Sequence, residues 1–277
     1  MEYIETNEIH LHTRVEGDPN NPLIILLHGF PEFMKGWEKE VMPLVDAGYY
    51  VLVPDLRGYN LSSKPRGKKN YHMSLLIADI VGLIKWSGRE KAIIAGHDWG
   101  GFIAWGFALM HPSKVEKLII VNAPHPGVMA EFLKTNEEQQ KKSSYIRRFQ
   151  LPFLPEFILK RKDYTNMVRS LKHSSIKGTF SEEDIMEYKE AWKNSSLSGM
   201  LNYYRANSLA SDSPPQRVKV QTLVIWGRND NFLMPELAEA SWKMCPEGSK
   251  VEYVEDATHW VLHEKPNEII KLILDFL

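Results

Sequence analysis

Ala92-Ile93-Ile94-Ala95-Gly96-His97-Asp98-Trp99-Gly100-Gly101 is the stretch on which the reading of this 277-residue chain turns. A continuous apolar run ends at Gly96, and a segment with small residues at Gly101, Ala104, Gly106 and Ala108 follows. A run without polar alternation suits a strand whose two faces are both covered. Glycines on either side of Asp98 permit a tight turn from that strand into a helix, and the small residues let the helix lie close on the sheet. Such a turn pushes its central side chain out over the sheet edge. A strand-end aspartate that only caps the next helix is the plainer reading; the glycine pattern and its placement favour the sharp elbow.

The same alternation repeats outward from the elbow. Leu23–Leu27 ends at His28-Gly29, Tyr50–Pro54 at Asp55, Leu118–Val121 at Asn122, Thr222–Trp226 at Gly227, and Val251–Val254 is the last run. Between them, Leu76, Ile80, Leu83 and Ile84 follow helical spacing, as do Ile270, Leu274 and Leu277. Strand and helix in alternation predict an α/β fold with a parallel sheet, right-handed crossovers and ligands at the carboxyl ends of the strands. The alternation fails between about His125 and Pro215. There Ser181-Glu182-Glu183-Asp184 reads as a helix start with Ile185, Tyr188 and Trp192 on one face, and Pro214-Pro215 closes the segment. The expected organisation is a core in two parts, residues 1–124 and 216–277, with a helical cap at 125–215.

Composition narrows the class. Lysine plus arginine number 34 and aspartate plus glutamate 35, so the basic excess that marks nucleic-acid or anionic-membrane partners is missing. Lys68-Lys69 and Lys160-Arg161-Lys162 read as solvated runs. Cys245 is the only cysteine, which leaves no intrachain disulfide and no cysteine metal cluster. Met1 to His12 carries Glu2, Glu5 and Glu8 and lacks the pattern of a signal peptide. Trp99–Met110, the most apolar stretch, is too short to span a bilayer. These features predict a cytoplasmic protein, monomer or homodimer, acting on a small molecule without nucleic acid, membrane, metal or organic cofactor.

Asp98 occupies the seat where such an elbow usually carries serine. Serine attacking a saturated carbon would leave an ether that water does not readily cleave. A carboxylate leaves an ester, which is hydrolysable at its carbonyl. The residue type therefore points to alkyl electrophiles, epoxides or haloalkanes. A water-activating base is then needed, and ten histidines compete.

From about Tyr3 to Leu277 the chain resembles the epoxide hydrolases of the α/β-hydrolase fold. The resemblance is carried by His28-Gly29-Phe30-Pro31-Glu32, by Asp55-Leu56-Arg57-Gly58-Tyr59-Asn60, by the elbow and by the end motif around His259. It implies a mostly parallel eight-stranded sheet flanked by helices, an inserted helical cap, and a cis peptide before Pro31. Backbone N–H groups of Phe30 and Trp99 would stabilise the oxyanion. His259, on a loop after the last strand, falls where this fold places its base; His263 is the rival, read as a helix or surface residue, and His28 as structural. Asp230 after the Thr222–Trp226 strand is the orienting acid, with a turn aspartate as the plainer reading and Asp256 as a weaker alternative. The position after the preceding strand, used by some relatives, holds Asn122.

Tyr145, in Tyr145-Ile146-Arg147-Arg148-Phe149-Gln150, and Tyr204, in Asn202-Tyr203-Tyr204-Arg205, match the family's two cap tyrosines, which donate to the epoxide oxygen. Tyr203 and Tyr204 point about 100° apart on a helix, so one of them faces the pocket. Phe30, Pro31, His97, Trp99 and Phe149 are expected to border the substrate. Phe153, Phe157 and Trp192 are read with Phe149 either as signs of an apolar substrate or as cap core. Where many relatives continue Glu-Pro-Gly after the glutamine, this chain has Leu151-Pro152-Phe153. Competing readings are a haloalkane dehalogenase with the same triad, although Phe30 stands where many such enzymes have asparagine, and a hydrolase fold that only binds. Fluoroacetate chemistry is disfavoured, because Trp99 and Phe102 occupy positions where its enzymes carry arginines.

Overall fold

Eight strands form one sheet: β1 (Glu2–Thr6), β2 (Ile9–Glu16), β3 (Leu23–Leu27), β4 (Tyr50–Pro54), β5 (Ala92–His97), β6 (Val115–Val121), β7 (Thr222–Gly227) and β8 (Lys250–Val254). The computed structural model describes residues 1–207 and 215–277. Spatial order is β1-β2-β4-β3-β5-β6-β7-β8. β1 pairs with β2 and β2 with β4 antiparallel, and every later pairing is parallel. The runs read as buried strands lie in β3 to β8. β1 and β2 escape that reading, because polar residues interrupt their apolar ones at this end of the sheet: Ile4 and Thr6, then Ile9 and Leu11, are buried while Glu5 and His10 are exposed, and the buried His12 and Thr13 are themselves polar.

Successive residues of each central strand feed opposite cores. Ile25, Leu27, Leu52, Ile94, Leu118 and Ile120 pack on the side covered by helices Met73–Trp86 and Trp99–Met110. Ile24, Leu26, Val51, Val53, Ile93 and Ile119 pack on the side covered by Glu38–Asp46 and Pro266–Phe276. Cover on both faces explains why β3, β4, β5 and β7 are buried at every position. In the C-terminal helix the buried stripe is Ile269, Ile273 and Phe276, one position before the expected Ile270, Leu274 and Leu277, which are only half-buried.

Between β6 and β7 the described residues contain helices only: Pro126–Thr135, Glu137–Lys142, Ser144–Phe149, Leu154–Ser174, Glu182–Asn194 and Leu197–Ala206. The fourth is broken at Arg161–Tyr164, where Lys162, Asp163 and Tyr164 take positive φ. Ser181 caps the fifth in a reciprocal capping box with Asp184, and Ile185, Tyr188 and Trp192 form its buried face. Pro214, expected to close this region, lies outside the described residues. Pro215 packs against Gly127 so closely that a Cβ there would meet its backbone, which brings the two stems of the insertion together.

Candidate active site

Asp98 sits between β5 and the helix Trp99–Met110 with φ 50° and ψ −118°, a conformation L residues avoid. Its carboxylate therefore stands at the sheet edge and does not cap the helix that follows. A Cβ at Gly29 would strike the Asp98 side chain, and one at Gly100 would strike the Leu27 and His28 carbonyls, so glycine at both places permits the close approach. The Phe30 N–H donates to Asp98 Oδ1 at 2.8 Å. The Phe30–Pro31 peptide is cis. Trp99, the second expected oxyanion donor, opens the helix directly behind Asp98.

On the far side of the carboxylate, His259 Nε2 is 3.6 Å from Asp98 Oδ2. His259 Nδ1 is 2.7 Å from Asp230 Oδ2. Asn122, at the end of β6, donates from Nδ2 to that same Asp230 oxygen at 2.7 Å and accepts the Gly227 N–H through Oδ1. Asp230 Oδ1 accepts the N–H groups of Phe232 and Leu233. Burial opposes the charge on Asp230, yet His259, Asn122 and the Phe232 amide outweigh it and hold the carboxyl below its ordinary range. Burial also pulls the His259 pKa down, but Asp230 and then Asp98 outweigh it, and the imidazole is held up at about 10. Asp256, by contrast, is exposed on the turn after β8.

A cavity of about 250 Å³ opens above these groups, lined by Phe30, Pro31, Asp98, Tyr145, Phe149, Tyr204, His259 and Trp260 among others. A second, apolar lobe of about 20 Å³ lies past the two tyrosines against Trp99, Phe102, Met129, Ile146 and Leu233. Tyr145, Phe149, Tyr204 and Phe30 stack edge to face, with ring centroids 5.1–6.1 Å apart. Burial, followed by the charge on Asp98, pushes the Tyr145 phenol up; burial, the neighbouring Tyr145 and Asp98 do the same to Tyr204. Both phenols thus stay protonated at neutral pH. Tyr203 turns away and donates to the Arg57 carbonyl at 2.9 Å. Arg205 ties the two tyrosine segments together, donating to the Phe149 carbonyl at 2.8 Å and to Glu156 at 2.6 Å, while Gln150 donates to the Tyr204 carbonyl at 2.8 Å.

One expectation changes. His97 does not line the cavity: it is buried below, with Nε2 at 2.8 Å from the His259 carbonyl and Nδ1 at 3.1 Å from Glu32. His263, read as a helix or surface residue, lies half-buried on the short helix Val261–Glu264, with Nε2 at 2.6 Å from Glu32 Oε1. Of the cap aromatics, Phe149 lines the cavity and Trp192 is core, its indole donating to the Pro31 carbonyl; Phe153 and Phe157 do neither.

Sequence reasoning missed Glu32. Its carboxylate receives Tyr188 OH at 2.7 Å as well as the two histidines. Burial opposes its charge, yet His263 and His97 hold it well below the usual carboxylate range. The signal was an acidic residue directly after the His28–Pro31 turn. Lys142 was also missed: it lines the cavity and donates to the Asp230 carbonyl at 3.0 Å. So was Gln139, whose amide bonds the Phe232 carbonyl and the Met234 N–H and so fixes the loop that carries Asp230.

Residues 22–266 match a protein family described as alpha/beta hydrolase fold. The chain is 46% identical over 280 residues to the AB hydrolase superfamily protein YfhM of Bacillus subtilis, spanning all of this chain and 97% of that one. It is 34% identical to human Epoxide hydrolase 4, over 99% of this chain and 77% of that protein. A solved epoxide hydrolase of Bacillus megaterium, in complex with an inhibitor, superposes with a TM-score of 0.91 at 31% identity, covering 99% of both chains.

Proposed function

The chain belongs to the α/β-hydrolase fold family, closely related to epoxide hydrolases, and from that premise we propose that it hydrolyses epoxides to vicinal diols through an ester on Asp98. The observation that carries the reading is the pair Tyr145 and Tyr204, both protonated, lining one cavity with Asp98 and His259. A haloalkane needs no proton at its leaving group; an epoxide oxygen does.

The proposed steps follow from these positions. The epoxide oxygen accepts hydrogen bonds from Tyr145 and Tyr204. Asp98 Oδ1 is held by the Phe30 N–H, which leaves Oδ2 to attack a ring carbon. The C–O bond breaks, and one tyrosine gives its proton to the alkoxide. Asp98 is now a neutral ester, so one of the two carboxylates that raise the His259 pKa has lost its charge. The imidazolium first passes its proton to the tyrosinate through solvent; neutral His259, held by Asp230, then takes a proton from water, and the resulting hydroxide attacks Cγ. Negative charge builds on Oδ1, already bonded to the Phe30 amide, before the diol leaves with the original Oδ2. The proton of the added hydroxyl passes to the departing Oδ2, Asp98 regains its charge, and His259 is left protonated as it began.

Single turnover in heavy-oxygen water tests the scheme. Label is expected in the Asp98 carboxylate and not in the first diol released, and His259→Gln is expected to accumulate the alkyl-enzyme. Label appearing directly in that diol refutes the ester. Joint replacement Tyr145→Phe and Tyr204→Phe is expected to abolish ring opening; chloride release from haloalkanes that persists in that variant, without diol formation, would favour the dehalogenase reading.

A further inference from the structure

One run of the cap has no part in this chemistry. Thirteen large apolar side chains stand exposed among the described residues, and five of them, Leu151, Phe153, Leu154, Phe157 and Ile158, fall within eight positions. Phe153 is 83% exposed and Phe157 65%. Leu154, Phe157, Ile158 and Arg161 recur at helical spacing on the outer side of the helix that starts at Leu154, while Pro155, Glu156 and Leu159 turn inward. An ordinary surface helix is patterned the other way round. The segment is nonetheless anchored, because Arg205 grips Glu156 and the carbonyls of Phe149 and Leu151.

Basic residues flank the apolar run on both sides in the chain. Arg147, Arg148, Lys160, Arg161 and Lys162 are all exposed and have no ion-pair partner among the described residues. The nearby acids are engaged, Glu156 with Arg205 and Asp163 with Lys189. A chain of net charge −1 thus flanks its most exposed aromatic residues with five cations. On the inner side of the same turn, Leu159 lines the catalytic cavity.

We propose that this face docks on an anionic phospholipid surface. Phe153, Leu154, Phe157 and Ile158 enter the boundary between headgroups and acyl chains, and the five cations lie against the phosphates. A second copy of the chain is the poorer occupant, since a two-fold contact would set the same cations against one another. Lys160-Arg161-Lys162, read from sequence as a solvated run, becomes the rim of the docking face. Docking does not depend on the reaction assigned above. Its use does: with Leu159 between face and cavity, an apolar epoxide dissolved in lipid reaches Asp98 without crossing bulk water.

Co-sedimentation of the full chain with vesicles decides the matter. The protein is expected to pellet with equimolar phosphatidylcholine and phosphatidylglycerol at low salt, and to stay in solution with phosphatidylcholine alone. Phe153→Ser with Phe157→Ser, and separately Lys160→Glu with Lys162→Glu, are each expected to weaken partitioning about tenfold or more. Turnover of a water-soluble epoxide by both variants is expected to match the wild type and reports that they fold. A wild-type chain that remains in the supernatant with anionic vesicles overturns the proposal, as does binding unaffected by either pair. Self-association that the serine variant abolishes, without any vesicle binding, assigns the face to a second copy and also overturns it. Vesicle binding by a chain with no epoxide turnover upholds docking and removes the reaction.

Discussion

His259 lies between two carboxylates, and the proposed ester mechanism gives it a different protonation before and after the nucleophile reacts. In the free protein Asp230 and Asp98 together hold it protonated up to about pH 10, against the pull of burial. In the proposed scheme esterification removes the charge of Asp98, so the pKa falls and the base becomes available only after the nucleophile has reacted. The sign follows directly: hydrolysis of the ester needs neutral imidazole, so its rate rises with pH through the lowered pKa of the alkyl-enzyme. Single-turnover pH profiles compared with titration of the His259 ring in the free protein check this, and an alkyl-enzyme value equal to or above the free one contradicts it. At this scale the sequence exposed much. Asp98 was legible from its glycines, and Tyr204 over Tyr203 followed from helical angle plus resemblance. Glu32, Lys142 and Gln139 were not legible, because each acts through partners far away in the chain: Glu32 meets Tyr188 and His263, and Gln139 meets the loop after β7. No local pattern encodes such meetings.

Among elements, the helix Pro126–Thr135 and the loop after β7 set the shape of the site. They supply Met129 and Leu233 to the small lobe, much the narrower of the two. One epoxide carbon can therefore carry a long substituent in the large lobe while the other stays nearly bare. Terminal epoxides are expected to outpace trans-disubstituted ones by about 10- to 100-fold, the equivalent of forcing extra methylenes into a filled core. Met129→Ala is expected to recover about tenfold of that deficit in kcat/KM for the disubstituted substrate, and equal turnover of both classes by the wild type would defeat the argument. Apolar runs identified β3, β4, β5 and β7 well because a strand covered on both faces needs no alternation, and the half-buried β8 was legible from Val251–Val254 alone. β1 and β2 were missed because polar residues interrupt their apolar ones. The cap helix after Ser181 was legible from its capping box, and the break at Arg161–Tyr164 left no mark in the residue types.

Across the whole molecule, stability carries one conspicuous burden. Glu40 is buried on the helix Glu38–Asp46, with neither carboxyl oxygen hydrogen-bonded among the described residues. Burial pushes its pKa well above the ordinary carboxylate value. A group raised in the folded state binds a proton that the unfolded chain releases, so its support is full below about pH 4.5 and fades as pH rises. Glu40→Met is expected to raise the melting temperature at neutral pH by about 4 °C or more and to flatten its decline with pH; a variant that melts lower, with the same pH slope, would show that the carboxyl has a partner in solution. The neighbouring strands β6 and β7 carry a different lesson. Asn122 and Asp230 converge from their two ends on a single point beside the imidazole, one as amide and one as acid. Exchanging the two residues, Asn122→Asp with Asp230→Asn, moves the negative charge from the end of β7 to the end of β6 by one hydrogen bond.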